Sequence, residues 1–364
     1  MTLRRPRRVA LLIETASSYG RGLLRGIGSY ARSRGPWILT RSPRGADGIL
    51  ALVRTRPLAR RLRRSRAPFV DLDTALPEMA PWGVANDERA VAEAAARHLL
   101  DLGIPRLAYS AGPVRSVWES ERRAAFRRAV ARDRRPVDVR VGPARGLGRW
   151  LRRLAKPVGV LAENDAEACR ILDAARREGL RVPEDVAVLG VDDDEVLCEL
   201  ADPPLSSVEL DTRRIGYEGA ALLDRLMRGR PRPRRPVRIP PLGVVSRAST
   251  DAVAAGDRAV AAALRHVRAN VQRPLRVPDL VRAAGVSRRT LELRFRAVLG
   301  RSPHEVIDRA RLDRAKDLLR RTDWPLKRIA AASGFTYPEH LQAAFRRREG
   351  TSPGRYRARA APTP

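Results

Sequence analysis

Arginine-rich segments near the C-terminus contain the residues whose chemistry is easiest to interpret. The stretch GVSRRTLELRFRAVLGRSP, which begins at Gly285, recurs with one insertion as GFTYPEHLQAAFRRREGTSP, which begins at Gly334. Residues 257–364 hold 25 Lys and Arg against 10 Asp and Glu, a higher density of positive charge than in the rest of this +32 chain. Guanidinium groups at this density favour a polyanionic partner such as nucleic acid or an anionic surface.

Cysteines, histidines and clustered acids could support catalysis or metal binding, but their spacing argues against both. Cys169 and Cys198 lie in the apolar settings AEACRIL and EVLCEL, which are typical of small buried side chains. Two cysteines also fit a reducing compartment better than a disulfide scaffold. The four histidines lack metal-ligand spacing, and the acidic run at 192–195 has no accompanying nucleophile. We therefore expect no enzyme activity, no cofactor and no metal.

The first copy of the repeat predicts a helix, a tight turn and a second helix. Apolar residues at helical spacing precede Gly285, which can adopt the positive φ that ends a helix. Ser287 can cap the next helix with its hydroxyl group. Leu291 and Phe295 recur at i and i+4, so this second helix has one buried side.

The second copy predicts the same plan around Gly334, with Thr336 and Glu339 as a capping box. Between the copies, apolar residues at helical spacing over 304–323 predict one long helix that holds the two units at a fixed separation. Successive major grooves on one face of DNA lie about 34 Å apart. A duplicated unit could therefore recognise two half-sites without a second chain.

Residues 277–298 and 326–348 resemble the two helix-turn-helix units of the AraC family. The matching residues are Ile329-Ala330, Gly334-Phe335, Phe345, Gly350, Pro353 and Tyr356-Arg357. Leu341 departs from the family pattern, in which an aromatic residue is common there.

This resemblance implies that the second helix of each unit recognises DNA. The residues expected to face DNA are Ser287, Arg288, Arg289, Glu292 and Arg296 in the first unit, and Tyr337, Glu339, His340, Gln342, Arg346 and Arg347 in the second. Arginine can pair with guanine edges, glutamate with cytosine and glutamine with adenine. Arg296, Arg346 and Arg347 are better placed for phosphate, which sets affinity and register.

The first 250 residues alternate short apolar runs with helical stretches, which predicts parallel sheets covered by helices. RRVALLIE, PWILT, GILALV and PFVDLD are strand candidates of a first lobe, and the extended stretch RLAYSA and the helical stretch ERRAAFRRAVAR are also placed in that lobe. A second lobe is expected to begin at VGVLAEN and to end in one returning strand, VRIPPLGVVS.

This region resembles the sugar-binding domain of the LacI repressors and the periplasmic sugar-binding proteins. The matching stretches are VANDERAVAEAAARHLLDLGIPRLAY, VLAENDAEACRILDAARREGLRVPEDVAVLGVDDDE and PPLSSVELDTRRIGYEGAALLDRLM. The resemblance implies two lobes that close on a sugar at the carboxyl ends of their strands. The expected ligand residues are Ser18, Tyr19, Asp73, Asp87 and Trp118 from the first lobe, Arg122 at the family's arginine position, and Asn164 and Asp192 from the second lobe.

Structural roles remain open for two of these ligand residues. Asn164 could cap the following helix, and Asp192 could stabilise its own turn. The basic segment RGRPRPRRP at 228–236 is expected to be a solvated loop, with extra phosphate contact as the alternative.

The sequence thus predicts an α/β two-lobed periplasmic-binding-protein-like sensor domain over 1–250, a linker over 251–257, and an all-α DNA-binding domain with two helix-turn-helix units over 258–364. LacI repressors carry their DNA-binding helices at the other end. The sensor-first order resembles that of xylose-responsive activators, so xylose is the expected effector. Another pentose, a hexose or an oligosaccharide is the alternative.

Double-stranded DNA, a sugar and a second copy of the chain are the expected partners, with RNA polymerase as a further candidate. The N-terminal apolar run at 9–13 is too short for a signal peptide and no stretch approaches the length of a membrane span, so a cytoplasmic location is expected. Two other functions fit less well. A repair methyltransferase would need reactive, clustered cysteines, and a transport component would not need the duplicated unit.

Overall fold

The computed structural model describes residues 5–34, 36–78, 82–113, 116–132, 135–250 and 257–360. Of the predicted linker over 251–257, only Asp257 is among these residues. Asp257 accepts hydrogen bonds from the main-chain N–H groups of Ala259 and Val260, so it caps the first helix of the C-terminal region.

The first lobe contains a four-stranded parallel sheet in the order β2-β1-β3-β4. Its strands are β1 Arg7–Leu12, β2 Trp37–Thr40, β3 Gly48–Ala51 and β4 Phe69–Asp71. Helices α1 Ser18–Arg34 and α2 Arg56–Arg63 connect them. β5 Val84–Asn86 forms a parallel pair with β11 Val237–Ile239, and helix α8 Thr212–Met227 packs against α1.

The second lobe contains a six-stranded sheet in the order β12-β10-β9-β8-β6-β7. Its strands are β6 Arg106–Ala111, β7 Val137–Val141, β8 Val158–Ala162, β9 Val186–Val191, β10 Ser206–Glu209 and β12 Gly243–Val245. Among the described strands of this sheet, the β10–β12 pair is antiparallel and the other pairs are parallel. Its helices are α3 Glu88–Asp101, α4 Val117–Ala131, α5 Leu147–Arg153, α6 Asp165–Arg177 and α7 Glu195–Leu200. Strands β8 and β9 are fully buried, as apolar parallel strands covered on both faces should be.

Two predicted features of the sensor domain are wrong. The second lobe begins with β6, which pairs with β8, so RLAYSA and the helix after it do not belong to the first lobe. The run VRIPPLGVVS forms two strands, β11 in the first lobe and β12 in the second. Pro240 and Pro241 lie between these strands, and neither can donate a main-chain hydrogen bond to a sheet.

The C-terminal region is all helical in its described residues. Its helices are α9 Arg258–Asn270, α10 Val277–Ala284, α11 Arg288–Leu299, α12 Pro303–Arg321, α13 Leu326–Ala332, α14 Pro338–Glu349 and α15 Pro353–Ala360. One core surrounds Leu291 and Phe295 of α11, and a separate core surrounds Leu341 and Phe345 of α14.

Helix α12 contributes to both cores of the C-terminal region. Ile307 packs into the first core, whereas Leu312, Ala315 and Leu319 pack into the second. The 19 residues of α12 make a rod of about 28 Å. The prediction of one long helix between the two units is therefore confirmed.

The turns of the two units agree only partly with the sequence prediction. Gly285 has a φ of 65° and ends α10, and the Ser287 hydroxyl accepts a hydrogen bond from the Thr290 N–H at 3.1 Å, as predicted. The capping box at Thr336 and Glu339 is wrong, because α14 begins one residue later and Tyr337 occupies its cap position without a side-chain cap bond. Pro338 in the first turn favours this later start, since its missing N–H needs no cap.

Gly334 and Gly350 allow a matched test of the second unit. Both have positive φ, 74° and 63°, but a Cβ atom on Gly334 would lie 2.5 Å from the Val271 carbonyl oxygen, whereas one on Gly350 would meet open space. We expect Gly350→Ala to cost about 1 kcal/mol of stability through backbone strain, and Gly334→Ala to cost at least about 2 kcal/mol because it also separates the turn from the α9 end. Calorimetric unfolding of both variants checks this, and equal losses would contradict it.

Candidate functional site

The predicted ligand residues lie where strands end at the junction of the two lobes. Ser18 and Tyr19 begin α1 after β1, and Asp73 follows β4, all in the first lobe. Asp192 follows β9 in the second lobe. Trp118 and Arg122 lie on α4 after β6, so both belong to the second lobe, and the expectation that Trp118 belongs to the first was wrong.

Arg122 is the most enclosed charge of this cleft. Its Nε lies 2.7 Å from Glu88 Oε2, and both side chains are 3% exposed. The guanidinium also donates to the main-chain carbonyl of Glu163 and lies 5.1 Å from the ring centre of Trp118. Burial by itself lowers the pKa of Arg122, but the Glu88 carboxylate outweighs this and raises it, so the guanidinium stays charged.

Tyr19 and Asp73 form the first-lobe side of the cluster. The Tyr19 hydroxyl donates to the Leu72 carbonyl at 2.9 Å, and Asp73 accepts from Arg54 Nε at 2.7 Å. Burial raises the pKa of Tyr19, and Asp73 and Glu88 raise it further. Arg54 also lies 3.6 Å from Glu14, so this arginine holds one carboxylate on each side.

Asp192 forms the second-lobe side. Its φ of 115° is rare for a residue with a side chain, and such strain is often retained at functional sites. Burial raises the pKa of Asp192 well above its ordinary value, whereas Arg122 lowers it. The Arg54 guanidinium of the first lobe also lowers the pKa of Asp192, and Asp192 in turn raises the pKa of Tyr19, so charged groups of the two lobes influence one another.

Three other predicted ligand residues already have structural partners. Asp87 accepts from the Ala90 N–H at 3.0 Å and caps α3, and Asn164 accepts from the Glu167 N–H at 2.9 Å and caps α6. Ser18 donates its main-chain N–H to Asp194 at 3.0 Å, while its buried hydroxyl has no partner among the described residues. Ligand contact by these three remains a prediction.

Four charged residues of the cleft were not predicted: Glu14, Arg54, Glu88 and Asp194. Glu88 directly follows the predicted Asp87, so a scan of the first turn of α3 would have found it. Asp194 joins the lobes, because it accepts from the Ser18 N–H and lies 3.6 Å from Arg21 of α1. No sequence pattern reveals that contact, since the partners are 176 positions apart.

The cleft offers the chemistry that a polyol requires. Asp73, Glu88 and Asp192 can accept from hydroxyl groups, and Arg122 can donate to them. Within the described part of the chain, no group of three or more His, Cys, Asp or Glu residues is arranged to hold a metal ion. The described helices also include none that is long and apolar enough to cross a membrane.

The predicted DNA-facing residues lie on the sides of α11 and α14, the helices predicted to recognise DNA, that face away from the two cores. In α11, Arg289 and Arg296 are exposed, and Arg288 pairs with Glu292 at 2.9 Å. Ser287 uses its hydroxyl to cap the helix. The two apolar anchors, Leu291 and Phe295, point into the first core.

Helix α14 presents a similar surface. Tyr337 is 58% exposed, and its ring stacks edge-on against His340 at 5.4 Å. Gln342 is half-buried. The remaining predicted residues of this unit are exposed: Glu339, His340, Arg346 and Arg347. Both units therefore present polar side chains suited to base edges and phosphates.

Comparisons with known proteins agree with this two-part design. Residues 96–250 match a periplasmic binding protein-like domain, and residues 280–359 match a helix-turn-helix domain. The xylose operon regulatory protein of Escherichia coli (strain K12) is 29% identical, with 96% of each chain covered.

Two solved structures are also similar. The structure of the xylose-binding transcription activator XylR is 29% identical, with 98% of this chain and 99% of that chain covered and a TM-score of 0.64. The complex of the transcriptional regulator CelR with cellobiose is 29% identical over 68% of this chain and 85% of that chain, with a TM-score of 0.57.

The fold and both sites define a transcription regulator that joins a periplasmic-binding-protein-like sensor to a helix-turn-helix domain. More narrowly, the chain is similar along nearly its whole length to the xylose operon regulatory proteins and to the xylose-binding transcription activator XylR.

The pKa values of two buried carboxyl groups predict how the stability of the protein depends on pH. Burial raises the pKa of Asp71 and of Asp165 to about 7, against hydrogen bonds from neighbouring N–H and O–H groups that lower it. The pKa of each group is higher in the folded state than in the unfolded state. Their contribution to the free energy of unfolding is therefore complete below about pH 4 and is lost as the pH rises to about 7.

Asp165→Asn removes one of these two groups. Between pH 4 and 7 we expect the free energy of unfolding of the variant to fall less steeply with pH than that of the parent protein. The two slopes should differ by up to about 1.4 kcal/mol per pH unit. Urea unfolding at several pH values measures the slope. A slope identical to that of the parent protein would show that Asp165 stays ionised throughout.

Proposed function

We propose that xylose is the effector of this regulator and that genes for xylose use are its targets. The observation that carries the proposal is the polar cluster of Arg122, Glu88, Asp73 and Asp192, which draws on both lobes of a chain that also holds two helix-turn-helix units. The similarity to xylose operon regulators along 96% of the chain supports xylose over other sugars.

In this proposal the sugar acts by stabilising the closed arrangement of the lobes. Its hydroxyl groups bridge Asp73 of the first lobe and Asp192 and Arg122 of the second, with one face against Trp118. The contact of Asp194 with Ser18 and Arg21 forms only when the lobes are close. A ligand shifts the equilibrium only to the extent that it binds the closed state better than the open one.

The DNA-bound state would use both recognition helices. Arg288, Arg289, Glu292, Tyr337, Glu339, His340 and Gln342 contact base edges in this proposal, and Arg296, Arg346 and Arg347 contact phosphates. In this proposal the protein acts on DNA in the cytoplasm, with RNA polymerase as a further partner. The segment 228–236 is proposed as a solvated loop, since most of its residues are exposed and Arg232 stacks on Trp82 at 4.4 Å.

The proposal includes no catalytic step. Burial raises the thiol pKa of Cys169 and of Cys198, which disfavours the thiolate that a nucleophile requires.

A thermal-shift screen of the purified protein against common mono- and disaccharides tests the effector. We expect xylose to raise the melting temperature, because a ligand that binds only the folded state stabilises it. Asp192→Ala should abolish the shift, whereas Asp185→Ala, which removes a carboxylate paired with Arg181 outside the cleft, should retain it. Another pentose, a hexose or cellobiose acting instead would replace xylose in the proposal, and no response to any sugar would contradict it.

We also propose that the sensor domains pair through α7. This helix exposes Val196, Leu197 and Leu200, the last at 81%, beside a groove of about 220 Å³ lined by Leu172 and Ala201. An apolar surface of this kind is typical of a contact with another protein surface, and a second copy of the sensor would present the same patch in return.

Leu200→Glu tests this pairing. We expect sedimentation velocity to show a dimer for the parent protein and a monomer for Leu200→Glu, because pairing would bury an unpartnered carboxylate. Ile38→Glu, which alters an exposed apolar residue of β2 in the other lobe, should leave the dimer intact. A monomeric parent, or a dimeric Leu200→Glu variant, would refute pairing through α7.

A further inference from the structure

Helix α3 extends from the ligand cleft to the DNA-binding domain. Its first residue, Glu88, holds Arg122 in the cleft. Its last residue, Asp101, forms ion pairs with Arg301 and Arg309 of the C-terminal region. The 14 residues of α3 make a rigid element of about 20 Å between these two contacts.

The contact at Asp101 joins the sensor to α12, the helix between the two helix-turn-helix units. Arg301 lies 2.5 Å from Asp101 Oδ1, and Arg309 contacts the second carboxylate oxygen. The Asp101 side chain is only 15% exposed. Arg309 lies on α12, the helix that contributes to both C-terminal cores, so a displacement of Asp101 acts on the element that positions both recognition helices.

The C-terminal end of α3 makes two further contacts that fix its position. A Cβ atom on Gly103 would lie 2.9 Å from the Val298 carbonyl oxygen, so the main chain after α3 packs directly against the end of α11. His98 Nε2 lies 2.9 Å from the Thr250 hydroxyl, in the last described residue before the linker. One helix end therefore contacts the first recognition helix, α12 and the entry to the linker.

We propose that α3 couples sugar binding to DNA binding, with Asp101, Arg301 and Arg309 as its positioning residues. A sugar that accepts a hydrogen bond from Arg122 shifts the position of the Arg122–Glu88 pair. Helix α3 moves with Glu88 as a rigid body and so displaces Asp101. The two arrangements of α3 correspond to different placements of the DNA-binding domain, which is what an allosteric coupling free energy requires. This inference rests on the proposed function.

The test compares Asp101→Asn with Glu93→Gln in the full chain. Glu93 lies on the same helix but pairs with Arg89 and Arg132 of the sensor itself. Fluorescence anisotropy measures the Kd for operator DNA with and without xylose, and calorimetry measures the Kd for xylose. We expect Asp101→Asn to reduce the sugar-dependent change in DNA affinity to less than about twofold while the Kd for xylose in the absence of DNA stays within about threefold of the parent value.

Glu93→Gln and the conservative Asp101→Glu should both retain the parent response. Normal coupling in Asp101→Asn would overturn the proposal, and so would equal losses in Asp101→Asn and Glu93→Gln. If Asp101→Asn fails to fold, Gly103→Ala disturbs the same interface at the point where the main chain after α3 packs against the end of α11, and normal coupling in that variant overturns the proposal equally.

If no sugar changes the DNA affinity of the parent protein, the proposed function is contradicted. Hydrogen exchange then tests the contact of Asp101 with Arg301 and Arg309 without any sugar. Amides over 298–309 should exchange faster in Asp101→Asn than in the parent, and unchanged exchange would overturn the role assigned to Asp101.

Discussion

The buried ion pair between Arg122 and Glu88 determines where the other groups of the cleft lie. Glu88 starts the helix that leaves the first lobe after β5, and Arg122 lies on the helix after β6 of the second lobe. With both side chains 3% exposed, loss of either partner would leave an uncompensated charge, at a cost of about 3–5 kcal/mol. The same guanidinium orients Trp118 and meets the Glu163 carbonyl, so the geometry of the second-lobe wall depends on this pair.

Around this pair the cleft holds more acids than bases. Burial raises the pKa of Asp73, Glu88 and Asp192 despite the nearby guanidiniums of Arg54 and Arg122. Such an arrangement stabilises a fold poorly, and an apolar core of equal volume would serve that purpose better. In the proposed function its value lies in binding, because hydroxyl groups of a ligand can donate to these carboxylates. The strained backbone at Asp192 is consistent with this interpretation.

The arginines of the chain have different roles that composition cannot separate. Arg122 is enclosed in the cleft, and Arg301 and Arg309 hold a carboxylate between domains. Arg289 and Arg346, by contrast, project from the recognition helices without any role in either core. Only the second group raises the positive potential that a DNA backbone meets, so the net charge of +32 overstates the surface available for phosphate contact.

The sequence by itself determined the class of fold, the two helix-turn-helix units and the helix between them, because hydrophobic periodicity and turn glycines are local signals. Phe295 and Phe345 occupy equivalent positions in two separate cores, as the repeat predicted. The sequence also located most strand ends that contribute to the cleft, since apolar runs followed by Asp or Asn mark them. The capping box at Thr336 failed because Pro338 permits a later helix start without any side-chain cap.

Only the tertiary structure decided which lobe each element joins and which side chains meet. The assignment of β6 and α4 to the second lobe depends on pairing with β8, and the split of VRIPPLGVVS depends on which sheet receives each half. Arg122 and Glu88 are 34 positions apart, and Ser18 and Asp194 are 176 apart. Contacts over such separations arise from chain topology and burial, and no local pattern of residues encodes them.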